Sequence, residues 1–363
     1  MSQHPMKSMC DSKRTKIDSF DQNGVGEIGS GLFGLPFTEE ESEVVVFPIP
    51  WEVTVSYNAG TADGPAAVRD ASPQLDLFDP ELPNAWHLGI HMPQIPEQWE
   101  QESTRLREKS EAYINWLENG QPEGENHEAI VAEINQKGEE LLQWSKQETL
   151  KYLEQGKLVG VLGGDHSTPL GFMHALAEKH EEYGILQVDA HADLRNAYEG
   201  FTYSHASIMF NALKLPQVKK LVQVGIRDLC NAEAELVNQS NGRITTFYDS
   251  SIKAKQYEGG SWRKQCKKII AQLPQKVYIS FDIDGLDPKL CPGTGTPVPG
   301  GFEFEEAVYL IKALVKSGRE IIGFDLCEVA PGESEWNGNV GARLLYKLCY
   351  WMAVSQKRLE TTH

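Results

Sequence analysis

The sequence predicts an α/β protein with a mainly parallel sheet and helices on both faces. Three observations lead there. Short β-rich apolar runs alternate with longer helical patterns, the arrangement that puts crossover helices over a parallel sheet. Three of those runs pass directly into acidic and imidazole residues where they should end, and ligands bind at that edge of such sheets. At 363 residues and 40% hydrophobic content, the chain is long enough to bury one large core.

Taken in order, Val44–Pro48, Lys157–Leu162, Gly184–Val188, Lys220–Val224, Lys276–Phe281 and Glu320–Leu326 read as strands. Between them Gly64–Ala71, His127–Gln155, Thr168–Glu181, Ala232–Gln239, Ser261–Leu273, Phe304–Ser317 and Gly341–Ala353 carry helical patterns. Residues 1–30 are polar and read as a flexible N-terminal arm, followed by a single domain over 31–357. Within that domain the Glu- and Gln-rich stretch 93–126 reads as a peripheral insertion, with an amphipathic helix at Gln101–Leu117 and no evident chemistry. There is no internal repeat or low-complexity tract.

With 52 acidic against 34 basic residues, the formal charge is −18. That field repels nucleic acid and anionic membranes and favours a small cationic substrate. No stretch approaches the ~20 apolar residues of a membrane span, and the first thirty residues lack the apolar centre of a signal peptide. Six scattered cysteines without a CxxC pair indicate reduced thiols in a cytoplasmic protein.

The chemistry concentrates in VGVLGGDHS (159–167), ILQVDAHAD (185–193) and YISFDIDGLDP (278–288). Asp189, His191 and Asp193 are spaced by two, as are Asp282 and Asp284, and in extended chain a period of two sends side chains to one side. With His166 they make two imidazoles and four carboxylates. A lone Asp at a strand end is an ordinary cap or turn former, and a lone His an ordinary structural residue. Six such groups in one crevice are different: they repel unless cations occupy it. Carboxylate oxygens with about one imidazole per ion suit Mn(II) first and Ni(II), Co(II) or Fe(II) less well, whereas structural zinc would call for thiolates. Two divalent ions neutralise the formal −4 of Asp189, Asp193, Asp282 and Asp284. A bound hydroxide then leaves the site negative, and a cationic substrate restores the balance.

GGDHS, DAHAD and SFDIDGLDP, in this order, resemble the ureohydrolase (arginase and agmatinase) family, as do GPAAVRDAS (64–72), SHAS (204–207), PGTGTPVPGG (292–301) and FDLCEVAP (324–331). The similarity leaves out the arm and the insertion. It implies a three-layer arginase-like α/β fold, a trimer or hexamer, and two metal ions. His166, Asp189, Asp193 and Asp282 would hold one ion; Asp189, His191, Asp282 and Asp284 would hold the other. It also implies that Glu328 pairs with a guanidinium, that His205 shuttles protons at the mouth, and that Asp193 accepts a proton from the tetrahedral intermediate.

The phrase DLRNAYEGFTYSHAS looks more like agmatinase-type members than arginases, so the expected reaction is hydrolysis of an agmatine-like guanidino compound to urea and an amine. Free guanidine is the first alternative, followed by guanidinobutyrate, arginine and formimidoylglutamate. Trp51, Tyr57 and Trp336 are candidate walls for a small pocket, with Trp336 a candidate substrate contact; core or interface packing is the competing role for all three. A metal-binding relative without activity and a one-zinc deacetylase of the same architecture are the other classes. Cys327 reads as a small buried residue without an activating base.

Overall fold

Strands buried on both sides must be apolar on both sides, and the central runs of this chain are. The computed structural model describes residues 11–26, 31–122 and 127–362. Among these the strands are β1 (Val44–Ile49), β2 (Ile90–His91), β3 (Leu158–Gly163), β4 (Tyr183–Val188), β5 (Val218–Ile226), β6 (Ile244–Tyr248), β7 (Lys276–Asp282) and β8 (Glu320–Cys327). All pair in parallel in the order β2-β1-β3-β8-β7-β4-β5-β6. The helices are α1 (Asp11–Ser19), α2 (Gly64–Ala71), α3 (Glu97–Glu118), α4 (Glu128–Glu154), α5 (Leu170–Lys179), α6 (Ile208–Ala212), α7 (Asn231–Gln239), α8 (Asp249–Tyr257), α9 (Trp262–Ile270), α10 (Phe304–Lys316) and α11 (Trp336–Ser355).

Two apolar clusters sandwich the sheet. One joins it to α2 and α8–α11, with Ile17 of α1 at its margin; the other joins it to α3–α6, with Leu236 and Val237 of α7 at its margin. The expected three layers are therefore present. All six expected strands form within two residues of their expected ends. The two that escaped notice are short edge strands: β2 has two residues, and β6 fully buries only Ile244.

Three differences from expectation have clear causes. Residues 11–19 belong to a helix, not a flexible arm, because Lys13 tucks its ammonium onto the Leu88 carbonyl at 2.7 Å while Ile17 and Phe20 pack on the core. Residues 1–10 and 27–30 of that expected arm lie outside the described residues. Helix α11 begins five residues before the expected Gly341 because Gly338 and Gly341 serve close packing and do not break it. A Cβ at Gly338 would lie 2.5 Å from the Ala67 carbonyl oxygen, and one at Gly341 2.9 Å from Val68 Cγ2, so α11 can lie directly on α2 only as glycine.

The third difference concerns 93–126, of which 123–126 lie outside the described residues. Helix α3 buries Trp99, Leu106 and Ile114 in the core. Its Ser110 hydroxyl donates to the Val53 carbonyl, its Arg107 guanidinium to the Val55 carbonyl, and its Ser103 hydroxyl accepts the Glu52 N–H at 3.1 Å. It is thus fastened to the loop after β1, which leads to the candidate site. Among the described residues no helix is long and apolar enough to cross a membrane.

Candidate metal centre and active site

The sheet order sets β3, β8, β7 and β4 side by side at its centre, so GGDHS, FDLCE, SFDID and DAHAD end along one edge. Each acidic motif then turns in the same way. Asp165 Oδ1 accepts the Ser167 N–H at 2.9 Å, Asp189 Oδ1 the His191 N–H at 2.6 Å, and Asp282 Oδ1 the Asp284 N–H at 2.8 Å. These are Asx turns, in which a carboxylate binds the backbone two residues on. The spacing of two therefore converges by a different route from the extended pleat expected: β4 has ended at Val188, and Asp284 lies in a 3₁₀ turn at Ile283–Gly285.

The six side chains come together. His166 Nδ1 stands 3.0 Å from Asp189 Oδ2, 3.0 Å from Asp193 Oδ2 and 3.4 Å from Asp282 Oδ2. His191 Nδ1 stands 3.0 Å from Asp284 Oδ2 and 3.7 Å from Asp189 Oδ1. Two sets have ligand-type atoms all within 4.8 Å of one another, His166–Asp189–Asp282 and Asp189–His191–Asp284, and they share Asp189. Asp193 holds φ at 55° and Glu328 at 64°, left-handed values that cost a non-glycine residue roughly 1–3 kcal/mol and cluster at functional sites.

The electrostatics are those of anions crowded out of water. Burial opposes charge on His166, yet Asp189 and Asp193 against it raise its pKa well above the ordinary range. At His191 burial is likewise overcome, by Asp284 and Asp189. Burial and then neighbouring carboxylates push Asp282 well up, and Asp193 up to about 7. Protons thus balance the acids where cations would, and a four-carboxylate, two-imidazole donor set without thiolate fits a pair of hard or borderline divalent ions. Cys327 is buried beside the cluster, its sulfur 3.6 Å from Thr168 Oγ1 and its thiol pKa raised by burial, as a small packing residue would be.

Glu328 follows β8 and accepts the His166 N–H at Oε1, 2.9 Å away, leaving Oε2 buried without a partner among the described residues. The PGTGTP loop crosses it so closely that a Cβ on Gly295 would lie 2.6 Å from Oε2. His205 opens a 3₁₀ turn, with Nδ1 3.3 Å from Thr54 Oγ1. Burial, then the neighbouring His191 and His166, depress its imidazole to about 3.

The aromatic wall does not assemble. Trp51 is a core residue packed edge-on against Trp99 at 5.8 Å, and Tyr57 is 71% exposed. Trp336 is 47% exposed at the start of α11, its Nε1 donating to the Lys289 carbonyl, and none of its described contacts reaches Glu328, His205 or the six clustered side chains. Thr54 and the α3 contacts behind it were not foreseen and carry no sequence signal. Buried strand residues around the six clustered side chains were not foreseen either. Ser280 Oγ lies 2.9 Å from His166 Nε2 and donates to Asp325 at 2.8 Å, and Gln187 Nε2 donates to Asp189 Oδ2 at 2.8 Å. Their signal was a polar residue inside an otherwise apolar strand.

Residues 42–352 match the family model described as the arginase family. Two N(1)-aminopropylagmatine ureohydrolases are similar throughout: that of Synechocystis sp. is 30% identical over 324 residues, 88% of this chain and 92% of its own. One from Thermus thermophilus is 32% identical over 322 residues, with the same shares of the two chains. Among solved structures, the agmatine ureohydrolase of Thermoplasma volcanium superposes with a TM-score of 0.69 at 23% identity, covering 94% of this chain and 99% of that one.

Proposed function

The chain belongs to the arginase family, and from that membership and the clustered strand ends we propose that it hydrolyses an agmatine-like guanidino compound to urea and an amine. The observation that carries this reading is a buried carboxylate with one free oxygen, Glu328, next to two ligand sets that share Asp189. In this reading His166, Asp189, Asp193 and Asp282 hold one ion, and Asp189, His191, Asp282 and Asp284 the other, with Mn²⁺ preferred to Ni²⁺. When bound, the ions lower the pKa of a water to about 7 and so supply hydroxide at neutral pH.

The protein's own groups do the rest. A guanidinium is planar and permanently charged, and a carboxylate meets it through two parallel hydrogen bonds. Glu328 has one oxygen fixed by the His166 N–H and the other unpartnered, so it can orient the cation with its carbon towards the ligand cluster. Asp193 accepts the hydroxyl proton of the tetrahedral centre and passes it to the leaving nitrogen as the C–N bond breaks. His205 is neutral in this setting and engaged at Nδ1 by Thr54, so Nε2 remains to receive a proton and deliver it to the leaving amine. Agmatine and aminopropylagmatine are cationic, which suits the −18 charge of the chain.

The test is urea release by metal-loaded protein from agmatine, N(1)-aminopropylagmatine, guanidinobutyrate, arginine, formimidoylglutamate and free guanidine, with Mn²⁺ and Ni²⁺ in parallel. The reading expects an agmatine-type compound to have the highest kcat/KM. Equal turnover of arginine, or turnover of free guanidine alone, would contradict it. A trimer or hexamer and a cytoplasmic location complete the proposal; the first is checked by solution mass, and the second is supported by free thiols at Cys230, Cys266, Cys291, Cys327 and Cys349.

A further inference from the structure

A row of polar side chains, buried except for the half-buried Thr246 at its edge, crosses the apolar sheet directly beneath the ligand cluster. Thr246 of β6 is in register with Gln223 of β5, Gln223 with Gln187 of β4, Gln187 with Ser280 of β7, and Ser280 with Asp325 of β8. Residues in register on parallel strands point to the same face. Gln187 and Gln223 are fully buried, and burying amides between strands costs stability unless every group is satisfied.

Here every amide is satisfied, and in one direction only. Thr246 Oγ1 donates to Gln223 Oε1 at 2.7 Å. Gln223 Nε2 donates to Gln187 Oε1 at 2.8 Å and to the Ala192 carbonyl at 2.7 Å. Gln187 Nε2 donates to Asp189 Oδ2 at 2.8 Å and to the His191 carbonyl at 3.2 Å. The carbonyls of residues 191 and 192 and the Asp189 carboxylate only accept, so neither amide can flip without facing oxygen to oxygen. The Thr246 hydroxyl, at the edge of the sheet, closes the remaining acceptor.

We propose that Thr246, Gln223 and Gln187 form a relay of positioning residues that holds the 189–193 turn in its metal-binding shape. The relay touches Asp189 directly, and it holds His191 and Asp193 through the carbonyls of residues 191 and 192. A turn carrying a left-handed Asp193 needs such a brace, because φ of 55° is not where the isolated chain would settle. The inference rests on the reading that Asp189, His191 and Asp193 are ligands.

Calorimetric titration of chelator-stripped full-length protein with Mn²⁺ alone tests it, together with the rise in melting temperature on adding Mn²⁺. Gln223→Leu should weaken Mn²⁺ binding by about 10–100-fold, the usual effect of losing a partner behind a metal ligand. Thr246→Val, nearly the same shape at the partly exposed end, should weaken it about fivefold, the worth of one neutral hydrogen bond. Thr246→Ser, which keeps the hydroxyl, should bind as wild type does. A purely structural role would lower the melting point of the metal-free variants and leave Mn²⁺ affinity alone. The relay is overturned if wild type takes up two ions and Thr246→Val, with Gln223→Leu where that folds, binds them within twofold as tightly. Uptake of no Mn²⁺ by wild type instead overturns the ligand reading, and the relay with it.

Discussion

At the scale of single residues, the proposed chemistry gives proton transfer to His205 and substrate orientation to Glu328. His205 lies against Thr54, with its imidazole depressed to about 3 by burial and by neighbouring histidines. Bound cations would push it the same way, so in the proposed resting state His205 is neutral near neutral pH. His205→Asn should therefore lower kcat by about 10²–10⁴-fold while leaving the acid limb of the kcat/KM profile at the same pH; an acid limb that moves or vanishes with His205 would contradict this. Glu328→Gln keeps the shape and removes the charge that the guanidinium meets. It should cost at least about 10²-fold in kcat/KM with unchanged Mn²⁺ uptake, read by steady-state urea assays beside metal analysis. His205 and Glu328 were legible only through the family resemblance, whereas the six clustered acids and imidazoles stood out by their short spacing at the ends of apolar strands. Thr54, Gln187 and Gln223 were not legible, because their meaning depends on which strand lies next to which.

At the scale of elements, the central strands were legible and the margins were not. An apolar run ending in GGDHS, DAHAD or SFDID announces both a strand and its functional end, whereas β2 and β6 are too short or too exposed to leave a pattern. The start of α11 was hidden by Gly338 and Gly341, which look like breakers and are contact points. Gly341→Val should force α11 off Val68 and Val329 and cost about 1–3 kcal/mol of stability, measured by urea denaturation with an unchanged m-value. Helix α3 was recognised as a helix, but its attachment was invisible because Ser110 and Arg107 are ordinary surface residue types. Ser110→Ala removes the hydrogen bond to the Val53 carbonyl, next to Thr54. It should cost about 1 kcal/mol in stability and about tenfold in kcat, seen by comparing melting curves with turnover; an unchanged kcat would mean that α3 does not position Thr54.

At the scale of the whole molecule, the order β3-β8-β7-β4 gathers motifs from distant parts of the chain onto one edge. Strands β3 and β4, consecutive in sequence, are separated there by β8 and β7, and open α/β sheets bind ligands at such switch points. Asp189, Asp193, Asp282 and Asp284 are buried together, and burial with neighbouring carboxylates raises Asp193 and Asp282, so metal binding should contribute strongly to stability. At a free Mn²⁺ concentration a thousand times the dissociation constant, the gain is about 4 kcal/mol per site, and chelation should lower the melting temperature accordingly.

The most direct test compares Mn²⁺-loaded wild type with Asp189→Ala/Asp282→Ala, both shown to be folded by circular dichroism, in a urea-release assay with agmatine and N(1)-aminopropylagmatine. Two ions per wild-type chain with urea production, and loss of both in the double variant, are the predicted result. Undiminished urea production by the double variant would contradict the account.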